Sequence, residues 1–248
     1  MGKRQTGKVA IAVGAALLGA YAIGAVWFLD GKDGSGGVCR GVEVVVRDSA
    51  RYRFVTVAEA IATMQAAGVY PAGKTWDKVD TEALETVLRR HEMVAQVEAF
   101  RTPAGKVKAV ITQREPILRV MGMYGNFYVD RDGKVMPMSR RSATHLLVAS
   151  GYVEKGMATH ELYEIAVFLH DDRFWDAQIE QMYVRQDREV ELIPRVGNHR
   201  IVLGEPEGFE EKLERLRLFY EQAIPKFGWG KYSVINLKYD NQVVCTRR

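Results

Sequence analysis

The sequence predicts an α+β protein: a single transmembrane helix, then a compact α+β domain over residues 41–113, then a mainly antiparallel β domain with flanking helices over residues 114–248. Three observations predict this. An uncharged run from Val9 to Leu29 follows a basic head of Lys3, Arg4 and Lys8. Two helical periodicities with capping signals lie between β-branched runs before residue 114. After it, short apolar runs alternate with turns rich in Gly, Asp and Asn.

The segment 9–29 contains no Asp, Glu, Lys, Arg or His. As a helix rising about 1.5 Å per residue it reaches roughly 31 Å, the thickness of a hydrocarbon core of about 30 Å. Positive charge precedes it and Asp30 and Asp33 follow, so residues 1–8 are expected to be a cytoplasmic tail. The rest is then extracytoplasmic, a single-pass type II arrangement. A cleaved signal peptide is the competing reading, with Val9–Leu18 as apolar core and Ala20-Tyr21-Ala22 as cleavage site. Apolar character continuing through Ile23, Val26, Trp27, Phe28 and Leu29 favours a retained span. Cys39 lies too far from the apolar core for a lipid-modified cysteine. Ala12, Ala16, Ala20 and Gly24 draw a narrow stripe down one side of the span, which permits close helix packing and also arises by chance in an Ala- and Gly-rich helix. Residues 30–40 read as a flexible stalk, since Gly31–Gly37 holds nothing to bury.

Net charge of +4 and a pI near 9.0 look basic. Three of the 35 Lys and Arg belong to the head, however, which leaves 32 against 31 Asp and Glu. Those charges are interspersed, so no nucleic-acid partner is implied. Two cysteines, Cys39 and Cys245, make no disulfide framework, and a bridge between them is an open alternative.

Within the first domain, Gly41–Val46 has the β-branched content of a strand. Thr56-Val57-Ala58-Glu59 is a capping box that starts a helix, with Val57, Ala60, Ile61 and Met64 on one side and Gly68 as stop. Asp80 caps a second helix, whose stripe is Leu84, Val87 and Leu88 and whose end carries Arg89, Arg90 and His91. Residues 95–99 and 107–111 form a hairpin about Thr102-Pro103-Ala104-Gly105. The order is strand, helix, helix, strand, strand.

In the second domain, Phe127-Tyr128-Val129 passes through Asp130-Arg131-Asp132-Gly133 into Val135-Met136. Strands are expected at 144–148, 178–184, 189–193 and 200–203. A helix over 160–169 turns Leu162, Ile165, Ala166 and Leu169 inward. Another starts near Gly208, buries Phe209, Leu213, Leu216 and Tyr220, and stops at Pro225. A terminal hairpin follows, with strands 232–239 and 242–246 about an Asp240-Asn241 turn.

No catalytic constellation emerges. Asp130-Arg131-Asp132-Gly133 opens like a calcium loop, but Lys134 stands at a ligand position and no closing glutamate follows. His160-Glu161 starts like a zinc-protease helix, yet Glu164 replaces the second histidine. His91, His145, His160, His170 and His199 are scattered and read as surface or capping residues. No cofactor, metal or small-molecule substrate is implied, and the protein reads as no enzyme. Two other classes are an anchored envelope enzyme acting on peptidoglycan and a transport or chaperone component.

Several stretches carry a resemblance over essentially the whole chain: Gln113-Arg114-Glu115-Pro116-Ile117, Phe127-Tyr128-Val129-Asp130 with Gly133, Ile201-Val202-Leu203-Gly204 before a helix with Lys212 and Leu213, and Val234–Tyr239. With the order of parts, the sequence resembles the bacterial cell-division family FtsQ, also called DivIB, and its first domain resembles a POTRA domain. The resemblance implies a non-catalytic scaffold at the division septum, in the inner membrane, that holds the single-pass coiled-coil proteins FtsB (DivIC) and FtsL by strand addition. It implies partner contacts from the terminal hairpin: Leu237, Lys238, Tyr239, Asn241 and Val243, with Arg185 from a neighbouring strand. Lys238 stands where the family usually has arginine, and a lysine makes no bidentate fork with a carboxylate. A transport component would be expected to repeat its POTRA domain or carry a transmembrane barrel, and neither is visible.

Overall fold

The computed structural model describes residues 37–139 and 146–248. The expected tail and span, most of the stalk, and the start of the strand expected at 144–148 lie outside these residues. No helix among the described residues is long and apolar enough to cross a membrane.

The first domain follows its sequence closely. Strand β1 (Val42–Val46) leads to helix α1 (Val57–Ala66), which opens with the capping box: Glu59 N–H donates to Thr56 Oγ1 at 3.2 Å, and Thr56 N–H to Glu59 Oε2 at 3.0 Å. Helix α2 (Thr81–Arg89) is capped by Asp80, which accepts from Ala83 N–H at 2.8 Å. Leu84 and Leu88 are buried, as their spacing predicts, whereas Val57 stays exposed. Strands β2 (Val94–Arg101) and β3 (Val107–Gln113) complete a sheet of order β1-β3-β2, with β1 parallel to β3. Glu85 and Arg89 of α2 reach over the outer rim of β2. Ala99 N–H donates to Glu85 Oε1 at 2.7 Å, and Arg89 Nη2 donates to Val97 O at 3.5 Å.

The second domain is one nine-stranded sheet. Its strands are β4 (Pro116–Gly122), β5 (Gly125–Asp130), β6 (Val135–Met136), β7 (Leu147–Gly151), β8 (Ile179–Val184), β9 (Val190–Pro194), β10 (Arg200–Gly204), β11 (Tyr232–Asn236) and β12 (Val244–Arg247). The order is β12-β11-β10-β9-β8-β7-β4-β5-β6. Pairing is mixed. The β4–β7, β7–β8 and β10–β11 ladders are parallel, and the other five are antiparallel. The sheet is mainly antiparallel, as expected, and of the parallel ladders β7–β8 and β10–β11 come from helical crossovers, whereas β4 and β7 are separated in sequence by the strands β5 and β6. Helices α3 (Lys155–Thr159), α4 (Glu161–Asp171) and α5 (Arg173–Gln178) join β7 to β8, and α6 (Phe209–Phe227) joins β10 to β11.

Both crossovers move the same way along the sheet, so a common hand puts all these helices on one face. Phe168 of α4 meets Phe209 of α6 edge-on at 5.4 Å. Beneath them Val120, Ala149, Met182, Leu192, Leu203 and Ile235 make a single core with Leu162, Ile165, Leu169, Leu213 and Leu216. Pro225 does not end α6. A proline in the last turn removes one hydrogen bond without ending the coil, and Gly228, at φ 75°, ends it.

The join between the domains is built by the Gln113-Arg114-Glu115 stretch. Buried Gln113 accepts from Phe54 and Val55 N–H and donates to Arg47 and Tyr52 carbonyls, all within 3.0 Å. Arg114 Nε donates to buried Asp130 at 2.6 Å, and its Nη atoms reach the carbonyls of Glu92, Lys134 and Val135. Glu115 takes Arg51 Nη1 and Tyr52 Oη. Its charge and burial push the Tyr52 phenol up to about 12, burial contributing most. Tyr128 and Met136 pack into the core of the first domain, Tyr128 at 6.2 Å from the Phe54 ring.

Candidate partner-docking edge

Strand β12 pairs with β11 on one side, and on its other side no strand of the described residues lies against it. Its backbone groups there are the chemistry a further strand needs. The rim of β2 differs, because Glu85 and Arg89 already occupy it.

The hairpin is looser than its sequence predicts. The strands are 232–236 and 244–247, and residues 237–243 form a loop rather than a tight turn. Two contacts explain why the first strand stops early. Leu237 N–H donates to Val202 O at 2.9 Å, and Arg215 Nη2 donates to Leu237 O at 3.2 Å, so this residue is held against β10 and α6. Asn241 adopts φ 58°, the left-handed conformation that Asn tolerates, and reverses the chain.

The six residues expected at the contact separate into four kinds. Leu237 is fully buried in its own core, so its side chain is already spent. Tyr239 is 51% exposed, and Asn241 is exposed beside it. Val243 is half-buried against the core, as is Cys245, whose thiol burial pushes up from its ordinary value. Lys238 and Arg185 are brought together, though 53 positions apart in sequence, by one carboxylate. Lys238 Nζ donates to Glu189 Oε1, and Arg185 lies 3.8 Å from the other Glu189 oxygen while pairing with Asp187 at 3.1 Å. The Glu189 hydrogen bond holds the exposed Lys238 ammonium above its usual range. The Lys238 stem crosses Gly204, whose φ of 78° and missing Cβ make room: a Cβ there would lie 2.7 Å from Lys238 Cγ.

Sequence reasoning missed Glu189. Its position four residues after Arg185 across a turn is the one local signal. It also misread His199, which is buried between β10 and α6, with Nε2 2.7 Å from Tyr220 Oη and its ring stacked on Trp229. Burial and nearby Arg248 lower its pKa. Cys39 lies in the core of the first domain, and both cysteines are free.

Comparison with known proteins divides the chain at the join. Residues 37–112 match the POTRA-like domain model, and residues 115–246 match the model described as FtsQ/DivIB, C-terminal related. Among solved structures, the major extracytoplasmic domain of the trans isomer of the bacterial cell division protein DivIB from Geobacillus stearothermophilus is 14% identical. The match covers 46% of this chain and 97% of that one, with a TM-score of 0.33. No curated protein matches the chain.

Proposed function

Because the chain belongs to the FtsQ/DivIB family, which gives it a role in bacterial cell division, we propose that it is a membrane-anchored, non-catalytic scaffold whose β12 rim receives a strand from an FtsB/DivIC-like partner, with an FtsL-like protein held alongside. The open rim of β12 carries this reading. Tyr239, Asn241 and Val243 surround the start of that strand, and an incoming chain would meet them first. The run 9–29 supplies the anchor in this reading, with the described domains in the extracytoplasmic space.

Charge plays a smaller part than the sequence alone predicts. Lys238 and Arg185 are matched by Glu189 and Asp187, so an incoming carboxylate competes with internal partners. Exposed pairs of this kind contribute little and weaken with salt.

The test is binding of the full chain, reconstituted in membranes, to FtsB/DivIC-like and FtsL-like proteins. Tyr239→Ala and a truncation before Val244 are expected to abolish capture while circular dichroism shows the folded domains. Undiminished binding by the truncated chain would falsify strand addition. Lys238→Glu is expected to weaken binding more at low than at high ionic strength, since it sets a second carboxylate against Glu189. An equal loss at both would remove charge as the cause.

A further inference from the structure

The helices of the second domain cover one face of the large sheet; on the other, the first domain packs against Tyr128 of β5 and Met136 of β6, and no helix among the described residues of the second domain lies over β4, β7 and β8. On that uncovered face, strand register puts Arg119 of β4 beside Val148 of β7 and Gln181 of β8. One row further along it aligns Met121, Ser150 and Tyr183. Met121 is 46% exposed and Tyr183 37%, and the β4–β5 turn beyond them exposes Met123 and Tyr124 by 68% and 63%. Contiguous apolar side chains of this kind mark contact surfaces, and methionines adapt to varied partners. The patch continues from the join between domains, since Arg119 is paired in register with Tyr128.

Arg119 is the odd member. Its Nε is buried without a hydrogen-bond partner, and no ion pair engages it among the described residues. Its register neighbours Val148, Gln181 and Tyr128 offer it no anion. Gln181 Nε2 donates to Ser150 Oγ at 2.6 Å, and Glu191, the acid that register places beside Tyr183 on this face, is taken by Arg200 at 3.1 Å. A buried guanidinium N–H left without an acceptor is costly, and a carboxylate arriving from outside would supply one.

We propose that the uncovered sheet face between β4 and β8 binds an amphipathic helix of another protein, apolar along one stripe and bearing a carboxylate that pairs with Arg119. A helix suits a broad sheet face, as α4 and α6 show on the opposite side. This surface is separate from the β12 rim and does not depend on strand addition.

The probe is a synthetic amphipathic peptide with one glutamate in its apolar stripe, and a twin with lysine there, titrated against the full chain in nanodiscs. The glutamate peptide is expected to bind about tenfold tighter than its twin or better, a difference of about 1.4 kcal/mol. Arg119→Glu should reverse the preference, Arg119→Lys should keep it, and Tyr183→Ser should weaken both peptides. Truncation before Val244 should change neither. Equal binding of the twins, or a preference that survives Arg119→Glu, would overturn the proposal. So would self-association of the full chain that Arg119→Glu and Tyr183→Ser both abolish, which would make a second copy the occupant. Binding to anionic vesicles that is lost with Met123→Ser and kept with Arg119→Glu would assign the patch to a lipid surface instead, and would equally overturn it.

Discussion

Gln113 shows how much one side chain holds. Its amide satisfies two buried N–H groups and two carbonyls of the loop that precedes α1. Gln113→Ala orphans all four, and urea unfolding is expected to show a loss of about 3 kcal/mol, within the cost of leaving such groups unpaired. His199 predicts a pH response. Unfolded, it takes a proton near pH 6.5; folded, burial and Arg248 delay that to lower pH. The unfolded chain therefore binds more protons as pH falls below about 6.5, and stability drops in that window. Denaturant titrations between pH 8 and 5 are expected to show this slope, flattened in His199→Phe. Neither role was legible from sequence. Gln113 was seen only as part of a family-like stretch, and one histidine beside Asn198 gives no sign that a tyrosine 21 positions away will receive it.

At the scale of elements, local chemistry spoke clearly where it was self-contained. The Thr56–Glu59 box, the Asp80 cap and the inward stripes of α4 and α6 formed as their spacing requires, because each is settled within a turn or two. Strand β4 was not recognised, nor were α3 and α5, which are five and six residues long. Such short elements exist through packing rather than propensity, and their sequences carry little periodicity. The rims of β2 and β12 differ for a reason visible only in space: the Glu85 carboxylate occupies the Ala99 amide on β2. Glu85→Ala should expose that edge. Hydrogen exchange at the Ala99 amide is expected to rise and the chain to self-associate at high concentration; unchanged exchange would mean that the carboxylate shields nothing.

Across the whole molecule, the division into two domains was legible, whereas their mutual fixation was not. Arg114 and Asp130 belong to separate sequence signals, and their contact at 2.6 Å ties the turn after β5 to the end of β3. A buried pair of this kind costs about 3–5 kcal/mol when one partner is removed. Arg114→Ala or Asp130→Ala is therefore expected to split one calorimetric transition into two, the domains then melting separately. A single transition in both variants would show that the Phe54–Tyr128 packing alone couples them.

The terminal hairpin hangs from the rest of the sheet along a short parallel seam, with three registered pairs from Arg200↔Val234 to Val202↔Asn236. Among the described residues, Leu237, the Arg215 bond, the Lys238 stem over Gly204, the Arg248 Nη2 bond to Asn198 O and the Phe219–Tyr232 ring contact extend it. Tension applied through a bound strand would load this seam first, making it the mechanical fuse of the protein. Under an optical trap the ribbon should peel away as a unit at low force, while the remaining strands stay knitted.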